Sequence, residues 1–144
     1  MPNIKLVKQQ AWEYYQKWRK ETTYCPALKC NVQVSLQGWS HLAGNLDARH
    51  RGKKRSINDS YRRLMLLPYA KEIIEKSTTI QNIVEKRGRR YYGLEAIVMV
   101  SKDGAEVPRK VRVVLIEGAA GSKIFYSVMD KRQSSLAFMC RPHA

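Results

Sequence analysis

Apolar positions recur every three or four residues between Lys5 and Lys20, at Val7, Ala11, Trp12, Tyr15 and Trp18. That period predicts one amphipathic helix, its aromatic stripe turned to a core or a docking surface. Pro26 marks Thr22–Lys29 as a connector. Asn31-Val-Gln-Val-Ser-Leu36 alternates in and out and reads as a strand. A second helix is expected from about Gly38, with Gln37, Gly38 or Ser40 at its boundary. The basic run Arg49–Arg55 contains Gly52 and reads as a loop. Asn58 or Asp59 is placed to cap a third helix carrying Leu64, Leu67 and Ile74, which Pro68 kinks or splits.

After Ser77 the pattern changes. Thr78–Lys86 is β-branched, and a longer strand begins at Arg89 and runs through Leu94–Val100. Lys102-Asp103-Gly104 is a hairpin signal. Val107–Glu117 returns, with Val111, Val113 and Leu115 alternating against Arg112, Val114 and Ile116. Gly118-Ala-Ala-Gly121 makes the next turn, and Lys123–Met129 is the last strand. Short turns require antiparallel neighbours. The expected class is therefore α+β: N-terminal helices packed on a roughly four-stranded antiparallel sheet. Residues 1–144 read as a single domain, with 1–30 as a helical extension and 31–130 as the core.

Charge narrows the function. The chain carries 27 Lys and Arg against 12 Asp and Glu, a net charge of +15 and a pI near 10.0. Such an excess implies a polyanionic partner, RNA or DNA, whose counterions Lys and Arg displace. No apolar run approaches a membrane span, and no long segment sets basic residues opposite a clean apolar face, so no membrane partner is expected. The three cysteines, Cys25, Cys30 and Cys140, do not make a complete disulfide framework. They read as structural thiols of a reducing compartment; a local Cys25–Cys30 disulfide is the alternative for an exported protein.

Histidine changes the question from binding to chemistry. His41 and His50 lie within residues 38–63, beside Arg49, Arg51, Lys53, Lys54, Arg55, Arg62 and Arg63. The chain has no Asp-rich motif, no paired cysteine clusters and no phosphate-binding glycine loop, so no metal or cofactor is expected. RNA cleavage without metal needs a base for the 2′-OH, cations for the phosphorane and an acid for the leaving oxygen. His41 and His50 supply the proton-transfer type, and Arg49, Arg51 and Arg55 grip phosphate. Arg89-Arg90-Tyr91-Tyr92 pairs phosphate grip with stacking; the same residues also suit a strand start with tyrosine in the core. On the last strand only one of Tyr126 and Ser127 can face the helices.

Val32-Gln-Val-Ser-Leu-Gln-Gly-Trp-Ser-His41, Arg49-His50-Arg51, Arg62–Ala70 and Lys123-Ile-Phe-Tyr-Ser-Val-Met129 carry a resemblance. Over residues 31–130 the chain resembles the barnase–EndoU–colicin–RelE-like ribonucleases, in particular their phage- and polymorphic-toxin-associated branch. The resemblance implies helices before a four-stranded antiparallel sheet. It implies His41 as general base or acid, Arg49 or His50 on the phosphate, and Ser127 on the substrate backbone. It further implies a metal-independent endoribonuclease toxin acting in the cytoplasm on tRNA or another structured RNA, delivered by a secreted or phage-borne route, with an acidic immunity or antitoxin protein as a further partner. The alternative is a non-catalytic RNA- or DNA-binding module, for which the charge alone suffices.

Overall fold

The computed structural model describes residues 3–43 and 57–130, without the side chains of 57–59 and 102. The architecture is α+β. Its elements are α1 (Ile4–Arg19), β1 (Thr23–Cys25), β2 (Cys30–Gln33), α2 (Leu36–Ala43), α3 (Ile57–Lys76), β3 (Asn82–Lys86), β4 (Arg89–Lys102), β5 (Ala105–Glu117) and β6 (Lys123–Asp130). The expected four-strand meander is β3 to β6, antiparallel throughout. Two further strands extend it to a six-stranded mixed sheet of order β1-β2-β6-β5-β4-β3. β1 comes from the stretch read as a connector and pairs with β2, which starts the segment read as a strand; β2 joins β6 in parallel through Val32↔Lys123 and Gln33↔Ile124.

Local chemistry explains the helix limits. The Asn3 side chain accepts from the Lys5 amide at 2.9 Å and caps α1. The Ser35 hydroxyl accepts from the Gln37 amide at 3.2 Å, so α2 starts at Leu36 and takes over the end of the predicted strand. Asn58 and Asp59 fall inside α3 rather than at its cap, and Pro68 does not split α3, which runs through it as one helix lacking the hydrogen bond that a proline cannot donate. β3 begins at Asn82, later than its β-branched run suggested.

The aromatic stripe of α1 enters the common core. Tyr15 and Trp18 are fully buried and meet Phe125 of β6, while the Trp18 indole donates to Thr23 Oγ1 at 2.8 Å. Trp39 of α2 docks on Trp12 and Tyr15, with ring centroids 5.0 and 5.5 Å apart. Leu64, Leu67, Ala70, Ile73 and Ile74 of α3 close the core over Leu94, Val111, Val113 and Leu115 of the sheet. Burying this apolar surface supplies the main stabilisation of the fold.

Candidate functional site

The site grows from the way α2 is held. In an α-helix residues two apart point about 200° from each other. With Trp39 seated on α1, His41 is turned the other way, onto β6. There its ring stacks on Tyr126, centroids 4.0 Å apart and planes 22° from parallel. Gly38 lets α2 come this close, because a Cβ at that position would lie 2.5 Å from the Phe125 carbonyl oxygen.

A bulge in β6 presents Tyr126. Leu115 pairs with Phe125 and Val114 with Ser127, which leaves Tyr126 as the extra residue. Phe125 and Val128 both remain in the core, and Tyr126 is aimed outward to meet the edge of Tyr91 at 5.6 Å. His41, Tyr126, Tyr91, Asn82, Arg87 and Arg112 line a cavity of about 370 Å³ on the sheet face opposite the core. Gly93 forms part of its wall, where a Cβ would lie 2.2 Å from Asn82 Oδ1.

Arg112 is held in place beside this cavity. Its Nε donates to Glu95 Oε2 at 2.7 Å and its Nη2 donates to the same oxygen. The Glu95 side chain is only 8% exposed, and Lys110 approaches its other oxygen at 3.5 Å. A nearly buried carboxylate flanked by two cations holds the guanidinium in place through a charge-assisted pair. The Nη1 donors of Arg112 make no hydrogen bond among the described residues.

The predicted residues separate into groups. His41 and Tyr91 are brought together. Arg49, His50, Arg51, Lys53, Lys54 and Arg55 lie outside the described residues. Ser127 is displaced from the expected role on the substrate backbone. It has no exposed surface, and Arg63 of α3 donates to its hydroxyl through Nη1 at 3.0 Å. Arg62 lines a separate groove of about 560 Å³ with Tyr61, Met65, Tyr69 and Arg109, on the helix side of the sheet. Tyr92 is a core residue instead of a stacking platform: it is 5% exposed and its hydroxyl donates to Glu117 at 2.5 Å. That bond holds the Glu117 carboxyl below the usual carboxylate range, which makes it a weaker base. Burial, reinforced by the same bond, raises the Tyr92 phenol. Arg90 is clamped by Glu85 at 2.6 and 3.0 Å, whereas Arg89 has no such partner among the described residues.

Sequence reasoning misses Tyr126, Arg112, Glu95, Lys86 and Arg87. Alternation along β4 and β5 places Glu95 and Arg112 on one face, directly opposite each other, so that pair had a readable signal. The bulge that aims Tyr126 had none.

The burial of Ser127 yields a prediction. Ser127→Ala is expected to cost about 1 kcal/mol in urea unfolding, because the hydrogen bond between the buried Ser127 hydroxyl and Arg63 is lost. The same variant should leave any RNA cleavage per folded molecule unchanged.

Among the described residues no group of three or more His, Cys, Asp or Glu is gathered as a metal ion would need, and no helix is long and apolar enough to cross a membrane. Comparison with known proteins finds no matching family model, no matching curated protein and no matching solved structure.

Proposed function

We propose that this protein is a metal-independent endoribonuclease, a toxin that cuts tRNA or other structured RNA by attack of a 2′-OH on the adjacent phosphate. The observation that carries the reading is His41 set against Tyr126 in a cavity that also holds the fixed guanidinium of Arg112. A proton-transfer group and a phosphate-binding cation lining one space are two of the three groups this chemistry uses, and water serves as the third.

In the reaction the 2′-oxygen bonds to phosphorus and the bond from phosphorus to the 5′-oxygen breaks. The products are a 2′,3′-cyclic phosphate and a 5′-hydroxyl. His41 takes the proton from the 2′-OH while water protonates the leaving 5′-oxygen, or protonates the leaving oxygen while water takes the 2′-OH proton. Arg112 meets the charge that builds on the non-bridging oxygens. Tyr91 supplies an aromatic wall for the base of an unpaired nucleotide.

Purified full-length protein incubated with tRNA in EDTA should produce fragments ending in 2′,3′-cyclic phosphate. Absence of cleavage at micromolar protein, or cleavage only after Mg²⁺ is added, would remove this reading. The second reading, a non-catalytic RNA-binding module, is favoured by Lys86, Arg87 and Arg89, which make no ion pair among the described residues and would grip a polyanion whether or not it is cut. It requires RNA binding to persist with no product at any enzyme concentration.

A further inference from the structure

We propose that the tip of the β3–β4 hairpin is a second anion subsite, which holds the RNA backbone phosphate neighbouring the one at His41. The proposal rests on RNA as the ligand and extends the ribonuclease reading from one nucleotide to a strand.

The turn is built against local preference. Lys86 pairs directly with Arg89, so Arg87-Gly88 is a two-residue loop with φ of +53° and +76°. Such turns favour Asn-Gly or Asp-Gly, because side chains other than Asn and Asp are strained in the left-handed region. The β4–β5 hairpin obeys the preference: it turns on Asp103-Gly104, with φ of +52° and +80°. At the β3–β4 tip an arginine stands where the aspartate stands in the other hairpin. Lys86 and Arg89, directly opposite, are like charges and add repulsion. Neighbouring acids do not relieve it. Glu85 is engaged by Arg90, and Glu117 by Tyr92 and Lys123. Lys86, Arg87 and Arg89 make no ion pair among the described residues. A bound phosphate relieves both the repulsion and the unpaired charge.

Placement supplies the second argument. The tip and the Glu117-Gly118 corner enclose a space of about 380 Å³, which shares Lys86 and Arg87 with the His41 cavity. Two adjoining spaces with common cations suit successive phosphates of one strand. RNA is favoured over an acidic protein because the cations converge on pockets, while Ile97 and Met99, the large apolar side chains further along the same face of β4, lie outside both.

The test uses the full chain and a fluorescent 2′-O-methyl oligoribonucleotide, which lacks the attacking hydroxyl and stays intact. Each phosphate contact contributes about 0.7 to the slope of log affinity against log salt, so Lys86→Glu/Arg87→Glu/Arg89→Glu, which removes the grip on one phosphate, should reduce the slope by about 0.7. Reversal of Lys5 and Lys17 on α1 and of Lys20 at its C-terminal cap, the same change in formal charge, should alter it by less than half as much. Arg87→Asn should weaken binding while raising the melting temperature by roughly 2 °C, since it restores the preferred turn residue. A merely structural arginine would not separate affinity from stability in that direction. Equal slopes for the hairpin and α1 variants, or no binding of the oligonucleotide by the unaltered protein, would overturn the subsite. If tRNA is not cleaved in EDTA but the hairpin variants still lose slope, the ribonuclease reading falls and the subsite stands.

Discussion

His41→Ala is expected to lower RNA cleavage by roughly 10²–10⁴-fold, the usual contribution of one positioned proton-transfer group. The effect should fall on turnover: with phosphate grip assigned by the proposal to Arg112 and the hairpin cations, substrate affinity should stay within about threefold of the parent. Losing the stack on Tyr126 costs about 1 kcal/mol, a typical value for a close aromatic pair, so the variant should still fold. Circular dichroism and the salt slope of 2′-O-methyl RNA binding check that fold and binding surface survive. Cleavage within a factor of three of the parent would exclude His41 from the chemistry. It would leave RNA binding as the better account of this basic surface.

Gly38→Ala should destabilise the protein although glycine-to-alanine changes in helices ordinarily stabilise by about 1 kcal/mol. The added Cβ would sit 2.5 Å from the Phe125 carbonyl oxygen and 2.7 Å from the Tyr15 hydroxyl. The first of these is strand backbone, which cannot rotate away. The second is tied to the Ser35 carbonyl, to which it donates at 2.5 Å. Helix α2 must therefore back off from β6. Overpacking of this kind costs about 1–3 kcal/mol, a fall in melting temperature of roughly 4–10 °C for a chain of this size. The displacement also carries His41 off Tyr126, and a misplacement approaching 1 Å is worth up to about 10²-fold in rate. Stability and cleavage should thus drop together. An unchanged or higher melting temperature would show that α2 does not approach β6 so closely.

These two residues differ in how far the chain reveals them. His41 is visible as a histidine beside a basic run, and its helix is visible from composition. Its direction is not, because that depends on Trp39 being claimed by Trp12 and Tyr15 of a helix some twenty residues away. Gly38 looks like a helix boundary until Phe125 arrives beside it. Arg90 and Arg89 are neighbours with the same chemistry, and only the cross-strand Glu85 distinguishes the clamped from the unclamped one. Tyr92, read as a stacking candidate, faces the core because of its parity on β4, a strand whose frame is set by pairing Leu94 with Val113.

Sequence alone determined the α+β class, the four-strand meander, the helix periods and the large positive charge, because these depend on local periodicity, turn chemistry and composition. Tertiary structure decided the rest. It added β1 and joined β2 to β6 in parallel, a pairing that spans some ninety residues and leaves no local mark. It inserted the bulge that turns Tyr126 to His41 while Ser127 goes to Arg63, exchanging the roles that strict alternation leaves open. It also set Glu95 beneath Arg112 as a nearly buried anchor. Each of these depends on which distant surface a side chain meets, and local pattern carries no information about that.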